Sequence, residues 1–574
     1  MSEREALSSA TFDIAHRSPI SGIDAFGDHY VATAGYDSQV ILWDARDGRP
    51  LANAWHDHLV NQCRFSPDGR QLLSASSDYT ARIWSVGGLT PIAVLRGHTD
   101  DVEMASWSPD GRLVATASRD HLIRIFDTAG TLLRSIKGHE ADVLSVEWRV
   151  DGQALVSSSD DGTVRRWDVV SGVELERFSL GGETDTVVIT RAGTLFAGND
   201  RGEIIVLRDG RASVTPGHDA GIKRLAFDEA TQRLMSASYD RTVKLWEPGG
   251  DDALRLVQQS AVPAMIWLRA ATFASHDRLL FGSFGSSYAE YSPSSDQWRV
   301  DRIEDTPGIN AGHVHDGAVW TVGDAGVVRR DGEAVTRLGS LCNFIHGWSG
   351  RLVTGGQLGI LFDAISGEVL HRHHSPLNCA ASWRVASGER LIIGAYTGEG
   401  LVFALEDDGT VRFEGEIALH DNAVKGVACD GHTLFSVCAT AAMARHDALS
   451  LDAIERLPEA HDKIANGAAR LPGGGFVSVS RDRKLRLWTD AGCRAIATPH
   501  DHSIKCVATL EGARAIATGS YDGKVAIHDL TNGDWPIVRQ ISRFGISSLA
   551  ADEAGNAFVA TSYDGNYYRI PMSG

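Results

Sequence analysis

The stretch GHTDDVEMASWSPDGRLVATASRDHLIRIFD, residues 97–127, decides the fold because its plan recurs along the chain. Four of its positions carry side chains that can be joined in one chain of contacts: His98, Thr116, Asp120 and the aromatic Phe126. The His precedes the Asp by 22 residues, the hydroxyl precedes it by 4, and the aromatic follows it by 6. Three spacings held together through several copies predict a repeated structural unit.

Six other parts of the chain repeat these positions, mostly with Trp as the aromatic residue. Three sets keep every offset: His56, Ser74, Asp78 and Trp84; His139, Ser157, Asp161 and Trp167; His218, Ser236, Asp240 and Trp246. Two sets shorten the first gap by one residue: His16, Thr33, Asp37 and Trp43; His461, Ser478, Asp482 and Trp488. The last set, His500, Thr518 and Asp522, keeps the spacing but places His528 where Trp is expected.

The burial of polar groups explains these residue types. A buried Asp must be paired, a neutral His donates from one ring nitrogen and accepts at the other, and Trp only donates. A chain of Trp, Ser/Thr, His and Asp therefore satisfies every member and ties three strands together. We assign these sets to structure and not to catalysis, because a Ser-His-Asp relay that occurs seven times is a scaffold.

The pattern resembles the WD repeat family, whose repeats carry Gly-His near the start and Trp-Asp at the end. Gly-His stands at 97–98, 138–139 and 217–218, and Trp-Asp at 43–44 and 167–168. The resemblance implies that each repeat is a four-stranded blade of a β-propeller. The motifs are clear over residues 16–247 and 461–529 and decay between them.

A repeat of about 41 residues divides the chain into fourteen units. We therefore predict an all-β protein of two seven-bladed WD40-type propellers in tandem, residues 1–292 and 293–574, with four antiparallel strands in each of fourteen blades. The repeats of the second ring are diverged over about 306–455, so a second ring of six or eight blades remains an alternative.

The ends of the chain suggest how each ring closes. We expect residues 6–14 to form one strand with no blade of its own, and the chain to stop after the third strand of blade fourteen. We expect residues 6–14 to complete blade seven and a strand near 297–303 to complete blade fourteen, because connections are usually short. The alternative pairs the first strand with blade fourteen.

Charge and composition restrict the partners. The net charge is −19, with 29 basic and 40 acidic residues up to residue 293 and 26 and 34 after it. An acidic field repels phosphate, so we expect neither nucleic acid nor an anionic membrane as a general partner. The seven Cys are odd in number and lack CxxC spacing, which is typical of buried thiols in a reducing compartment. No segment has the length of a signal peptide or membrane helix, so a cytoplasmic protein is expected.

The residue before each turn Asp is, by resemblance to the family, on the face that usually meets partners. Across the chain these positions are Tyr36, Ser77, Arg119, Asp160, Asn199, Tyr239, Phe284, Tyr396, Arg481, Tyr521 and Tyr563. Tyr and Arg dominate, and both are enriched in interface hot spots. We predict that Tyr36, Arg119, Tyr239, Tyr396, Arg481, Tyr521 and Tyr563 bind partners; the alternative is that each Tyr only covers the turn below it.

Three lysines, Lys223, Lys425 and Lys505, share one place in their repeats, directly after the first apolar residue of the first strand. They could form a cationic spot near a channel that takes an acidic peptide or phosphate. Ordinary solvated loop charges are the alternative. Of the His clusters, only His313 and His315 lie on one face of a strand, and without a third ligand no metal or other cofactor is expected.

The chain has no GxxxxGK[ST], GxSxG, HExxH or dinucleotide-binding motif. We therefore expect a non-catalytic scaffold that assembles partner proteins on its loop face. Its plan is similar to that of the actin-interacting WD proteins with paired propellers, but no actin-binding residue can be transferred. The alternatives are an enzyme or small-ligand binder with a pocket in the diverged ring, and a reader of acidic or phosphorylated peptides.

Overall fold

The computed structural model describes residues 14–180, 184–208, 210–249, 253–386, 388–406 and 408–572. Over these residues the chain forms fourteen antiparallel sheets, thirteen with four strands and one with three. Within each sheet the strands pair in chain order, so each sheet is a meander. The predicted all-β fold class is confirmed.

The chain divides into two compact units between Glu304 and Asp305. In each unit the first strand of every sheet packs against the first strand of the next. The seventh sheet returns to the first: Ile266–Ser275 packs against Ile20–Phe26, and Ile546–Asp552 packs against Ile309–His315. Each unit is therefore a closed ring of seven blades over its described residues, here called the first ring and the second ring.

The strands of the first ring are listed by blade, from the innermost outward. They are Ile20–Phe26, Tyr30–Gly35, Gln39–Asp44 and Pro50–Trp55 in blade 1; Val60–Phe65, Gln71–Ser76, Ala81–Ser85 and Pro91–Leu95 in blade 2; Val102–Trp107, Leu113–Ser118, Ile123–Asp127 and Leu132–Ile136 in blade 3; Val143–Trp148, Ala154–Ser159, Thr163–Asp168 and Glu174–Ser179 in blade 4; Thr186–Ile189, Leu195–Gly198, Glu203–Arg208 and Arg211–Pro216 in blade 5; Ile222–Asp228, Arg233–Ser238, Thr242–Pro248 and Leu254–Ala261 in blade 6; and Ile266–Ser275, Arg278–Ser283, Ala289–Ser292 and Gln297–Arg299 in blade 7.

The second ring follows the same order. Its strands are Ile309–His315, Ala318–Gly323, Val327–Arg330 and Glu333–Arg337 in blade 8; Cys342–Trp348, Arg351–Gly356, Ile360–Asp363 and Val369–Arg372 in blade 9; Leu377–Val385, Gly388–Ala395, Glu399–Leu405 and Val411–Ala418 in blade 10; Val424–Cys429, Thr433–Cys438, Met443–Asp447 and Ala453–Leu457 in blade 11; Ala465–Arg470, Phe476–Ser480, Lys484–Thr489 and Gly492–Ala497 in blade 12; Ile504–Leu510, Ala515–Ser520, Lys524–Asp529 and Ile537–Gln540 in blade 13; and Ile546–Asp552, Ala557–Ser562 and Tyr567–Pro571 in blade 14.

Turn chemistry sets the hairpins between the inner strands. In Ser66-Pro67-Asp68-Gly69, the Ser66 hydroxyl donates to the Asp68 carboxylate at 2.7 Å and the Gly69 amide donates to the Ser66 carbonyl at 2.9 Å. Gly69 has φ of 70°, a left-handed conformation that favours glycine. Residues 108–111 repeat this turn, so the local sequence fixes the strand register.

The core lies between the faces of neighbouring blades. Leu73 and Ile83 of blade 2 pack with Val102, Trp107 and Phe126 of blade 3, and all five are buried. The outermost strands face solvent on one side; Glu174–Ser179 alternates between half-buried and exposed residues. The second strand of a blade is buried on both faces, which explains runs such as LVATAS in the sequence.

The predicted ring closure is wrong in its strand assignment. Gln297–Arg299 pairs with Ala289–Ser292 and is the fourth strand of blade 7, where residues 6–14 were expected. Trp298 causes this pairing, because its ring packs at 4.9 Å from that of Phe281 and 4.8 Å from that of Tyr291. Blade 14 has three strands over the described residues and not the predicted four. Residues 6–13 lie outside the described part of the chain.

The predicted domain boundary at 292/293 moves for the same reason. The segment after Ser292 was expected to cross to the second ring, but it turns back and completes blade 7 before the division at Glu304 and Asp305. The strand Gln297–Arg299 is short, follows a Ser-Pro-Ser-Ser turn and lacks the usual apolar alternation. The sequence pattern therefore did not predict it as part of blade 7.

Replacing Trp298 with Ala tests this closure. We expect the free energy of unfolding to fall by about 3 kcal/mol, as for other large aromatic-to-alanine changes. Amide hydrogen exchange should become faster in Ala289–Ser292 and stay unchanged in Tyr567–Pro571. Trp55→Ala, at a Trp that is 46% exposed on an outer strand, is the matched control. Faster exchange in blade 14 alone would contradict the assignment.

Candidate interaction surface

A buried chain of hydrogen bonds crosses three strands in most blades of the first ring. In blade 2, the Trp84 indole donates to the Ser74 hydroxyl at 2.8 Å, that hydroxyl lies 2.7 Å from His56 Nε2, and His56 Nδ1 lies 2.9 Å from the Asp78 carboxylate. For every member to be satisfied, the neutral His carries its proton on Nδ1 and donates to Asp78.

The other sets in which His contacts both the hydroxyl and the Asp have the same geometry. The His Nε2 to hydroxyl distance is 2.7 Å in the sets of His16, His98, His139, His218 and His461. The His Nδ1 to carboxylate distance runs from 2.8 Å at His139 and His218 to 3.3 Å at His461. Trp43, Trp167, Trp246 and Trp488 each donate to their hydroxyl at 2.8 Å, and Phe126 packs in the core without a donor.

Blade 13 has an incomplete set. His500 Nε2 lies 2.8 Å from Thr518 Oγ1, but His500 Nδ1 is buried without a hydrogen-bond partner among the described residues. Asp522 instead accepts from the Lys524 amide at 3.1 Å. His528, in the Trp position, packs its ring 4.8 Å from Trp535. The expected link from His500 to Asp522 is therefore missing.

The chain has a fifth member that was not predicted from the sequence. An Arg four residues after the turn Asp also donates to its carboxylate: Arg82 to Asp78 at 2.8 Å, Arg124 to Asp120 at 2.7 Å and Arg165 to Asp161 at 2.9 Å. Arg486 makes the same contact with Asp482. The constant spacing was visible in the sequence and could have identified it.

A partial set in blade 11 was also missed. His420 Nε2 lies 2.9 Å from the Ser436 hydroxyl, and His446 stands ten residues after that serine, where Trp is usual. The gap between His and Ser is 16 residues instead of 18, because the connecting turn is shorter. The search for fixed offsets therefore passed over it.

Burial and pairing shift the pKa values of these groups in one direction. Burial lowers the pKa of His56 and His98 below the usual value of imidazole, and their Asp partners offset only part of this effect. Burial alone would raise the pKa of Asp78, but hydrogen bonds from His56 and Thr80 and the charge of Arg82 hold it well below its usual range. At neutral pH the pair is a neutral His and a carboxylate, and both side chains are buried.

Removing one histidine tests the structural role. His139→Ala leaves Asp161 and Ser157 buried with a lost partner and a cavity between them, and we expect the free energy of unfolding to fall by about 3 kcal/mol. The control is His29→Ala at an exposed histidine, which should change it by less than about 0.5 kcal/mol. Equal urea midpoints for the two variants would contradict the assignment.

The interiors of the two channels differ. In the first ring, Arg64 of blade 2 pairs with Glu147 of blade 4, with one N···O distance of 3.0 Å. Burial raises the pKa of Asp24 and lowers that of Arg224 to about 10 in the same network. Two acids and two bases from blades 1, 2, 4 and 6 therefore meet across this channel.

The second ring has histidines at the matching level. The rings of His313 and His346 lie 5.8 Å apart, and His346 Nε2 lies 3.1 Å from the Ser382 hydroxyl. Burial lowers the pKa of His313 to about 3 and that of His346 to about 4. The described residues contain no group of three or more His, Cys, Asp or Glu arranged to hold a metal ion.

Three buried histidines of the second ring make the stability of the protein depend on pH. Burial lowers the pKa values of His346, His420 and His500 to about 4, so below about pH 6.5 the unfolded chain takes up protons that the folded ring does not. We expect the free energy of unfolding to fall as the pH drops from 6.5 to 5, by up to about 1.4 kcal/mol per pH unit for each histidine.

Urea unfolding at pH 7.5, 6.5 and 5 measures this slope. His346→Gln removes one titrating group and should make the slope shallower, whereas His29→Gln should leave it unchanged. A stability that is flat across this range, or that rises toward pH 5, would contradict the prediction.

The predicted partner residues lie near the channels, in two separate groups. In the first ring, Tyr36 packs edge-on against Trp267 with ring centres 4.9 Å apart, and Trp267 packs 5.1 Å from Phe284. Lys223 Nζ lies 5.0 Å from the centre of the Tyr239 ring. Arg119 pairs with Asp142 at 2.5 Å and with Glu103.

The second ring holds the other predicted residues: Tyr396, Arg481, Tyr521, Tyr563, Lys425 and Lys505.

Arg269 marks the centre of the first group and was missed by the sequence analysis. It lies on the innermost strand of blade 7 and interacts electrostatically with Tyr239, Asp185, Tyr36 and Glu103, which belong to or border four other blades. A side chain that reaches so many blades must lie near the ring axis. We call Tyr36, Tyr239, Trp267, Arg269 and Phe284 the first-ring mouth.

An asparagine that joins neighbouring blades was also missed. The second residue of the innermost strand donates to the carbonyl of the first residue of the next blade's innermost strand: Asn343 Nδ2 to Leu377 at 2.8 Å and Asn466 Nδ2 to Ile504 at 2.7 Å. Asn61, Asn310 and Asn378 make the same contact at 2.9, 3.1 and 2.6 Å. Lys223, Lys425 and Lys505 are also the second residues of their innermost strands, so they share the position at which Asn contacts the next blade.

A family model described as "WD domain, G-beta repeat" matches residues 49–85, 89–127, 130–168 and 211–247. The chain contains WD40 repeats. All four matched WD40 repeats lie in the first ring, and the first begins with the outer strand of blade 1 and ends with the third strand of blade 2. Each WD40 repeat is thus offset from a blade by one strand, which links consecutive blades through the chain.

Stretches of the chain are similar to known WD40 proteins. "WD repeat-containing protein 1" of Gallus gallus is 42% identical over 60 residues, 10% of each chain, and that of Xenopus tropicalis is 35% identical over 74 residues, 12% of each. "Nuclear distribution protein nudF 2" of Aspergillus clavatus is 40% identical over 57 residues, 10% of this chain and 13% of the relative. The chain therefore spans about a tenth of the length of the curated relatives it matches.

WD40 repeat proteins generally act as platforms for protein interactions, and the names of these relatives fit that class. Among the described residues there is no helix with the length and apolar character needed to cross a membrane.

Proposed function

We propose that this protein is a non-catalytic scaffold that assembles partner proteins on the channel-mouth face of its propellers. The observation that carries the proposal is the first-ring mouth. The rings of Tyr36 and Trp267, which are half-buried, form one continuous cluster with Phe284, which is only 4% exposed, and Arg269 beside them has a side chain that is 35% exposed. Aromatic side chains and Arg are enriched in the hot spots of protein interfaces, and this mouth combines both.

The environment of this cluster supports binding by a protein surface. Met265, in the turn directly before the strand that carries Trp267 and Arg269, is 37% exposed and extends the apolar area. Lys223 and Arg119 are already paired with acids of the first ring, so the charge near the mouth is largely balanced. A partner that buries this area meets aromatic and methionine side chains at little cost in charge desolvation.

The alternative of a catalytic pocket in the diverged ring has weaker support. A cleft at the start of the second ring is lined by Thr306, Gly308, Thr321, Gly323 and Arg329, among others. Arg329 is the one titratable side chain among its described lining residues. The sets of His, hydroxyl and Asp are buried and held by Trp and Arg, which fits structure better than acid–base chemistry.

The seven free thiols fit a cytoplasmic scaffold.

Two substitutions at the first-ring mouth test the proposal. Arg269→Gln and Tyr36→Ala remove different parts of the same surface, and we expect affinity purification of either variant to lose the same co-purifying proteins by about tenfold or more. Trp55→Ala, at an exposed aromatic on an outer strand, is the control and should keep them.

Thermal unfolding midpoints of all variants show whether each ring remains folded. Retention of the same proteins by both mouth variants, or equal loss with the Trp55 control, would contradict the proposal.

A further inference from the structure

The three lysines that share one place in their repeats are not equivalent in the structure. Lys223 lies between Asp185, at 2.5 Å, and Asp200, and its side chain is only 9% exposed. In the part of the chain that the structure describes, no ion pair links Lys425 or Lys505 to a carboxylate; their neighbours are tyrosines. Lys223 is therefore neutralised by carboxylates, whereas among the described residues Lys425 and Lys505 contact uncharged tyrosines.

The two lysines of the second ring share one set of aromatic neighbours. Lys425 Nζ lies 4.4 Å from the centre of the Tyr396 ring. Lys505 interacts with Tyr521 and Tyr563 and also with Tyr396. Tyr396 follows a strand of blade 10, whereas Lys505 lies in blade 13, so one tyrosine reaches both lysines only if all three side chains point toward the ring axis.

An aromatic neighbour holds a cation without cancelling its charge. The negative face of a phenol ring attracts an ammonium group but leaves its N–H donors able to bind an anion. Lys425, Lys505 and their tyrosines are each half-buried, so they are ordered by packing and still reached by solvent. Both cations lie on a chain of net charge −19.

The lysines also give up a structural contact. At the same position in the second ring, Asn310, Asn343, Asn378 and Asn466 each donate to the next blade. Lys425 and Lys505 stand where Asn would make that contact, and no such bond to the next blade's carbonyl is formed by either in the described residues. At these two positions a hydrogen bond between blades is exchanged for a cation beside tyrosine rings, and such a departure from a local rule is typical of a functional site.

We infer that the mouth of the second ring binds an anionic side chain of a partner protein segment, a carboxylate or a phosphoryl group, between Lys425 and Lys505. Two ammonium groups with six N–H donors match the oxygens of either anion through charge-assisted hydrogen bonds. The tyrosine rings pack against the neighbouring residues of the segment. This inference rests on the proposed function and gives the chemistry of one partner segment for the second ring.

Peptide binding to the full-length protein tests it. Three fluorescein-labelled nonapeptides carry at the centre phosphoserine, a pair of glutamates or a pair of serines in one neutral background, and fluorescence anisotropy measures their affinities. We expect the anionic peptides to bind and the serine peptide to bind at least about tenfold more weakly. Binding of phosphoserine alone assigns a phosphoryl ligand, and binding of both anionic peptides assigns a site that reads charge.

Matched lysine variants locate the site. Lys425→Gln and Lys505→Gln should each weaken anionic peptide binding by about tenfold. Lys223→Gln, at the equivalent but ion-paired position, should leave it unchanged. Equal affinity for anionic and serine peptides, absence of binding, or an equal loss in Lys223→Gln would overturn the inference.

The two proposals fail in different ways. If the peptides do not bind while co-purifying proteins still depend on Arg269 and Tyr36, the anion site is wrong and the scaffold stands. If the anionic peptides bind through Lys425 and Lys505 but the Arg269 and Tyr36 variants keep all co-purifying proteins, the scaffold proposal is wrong and the anion site stands.

Discussion

The structure depends on a carboxylate that is buried beside a neutral imidazole. A turn Asp taken out of water needs several donors, and it obtains them from a histidine, a nearby backbone amide, its own turn and, in four blades, an arginine. Because these donors come from different strands, satisfying one carboxylate also fixes the relative positions of those strands. Repetition of this arrangement leaves the loops at the channel mouths free to vary.

The diverged blades show what can replace this chain. In blade 9 the Thr354 hydroxyl donates to the Phe344 carbonyl at 2.6 Å, which joins two strands without a histidine. In blade 10 the Trp383 indole donates at 3.0 Å to the Ala448 carbonyl of blade 11. The asparagines of the innermost strands add bonds between blades. Bonds between adjacent strands and between adjacent blades therefore take the place of the buried chain in these diverged blades.

The sequence predicted the blades where polar residues recur at fixed spacing, since burial permits few substitutes for His, Asp and Trp. It placed the last strand of blade 7 wrongly. Trp298 holds that strand by packing on Phe281 and Tyr291, and a strand of three residues is too short for this packing to show as a pattern in the sequence. It grouped the three lysines correctly by position, but the neutralisation of Lys223 by Asp185 depends on a contact between blades that spacing does not reveal. Arg269 was missed because its role comes from its place near the axis.

The protonation state of a buried histidine tests this account most directly. Nuclear magnetic resonance of histidine labelled with nitrogen-15, with signals assigned through single His-to-Gln variants, reports the tautomer and titration of His56 and His139. The account predicts that both carry their proton on Nδ1 and have a pKa below the usual value of imidazole. A ring of either residue that titrates at or above the usual imidazole value, or that carries its proton on Nε2, would contradict it.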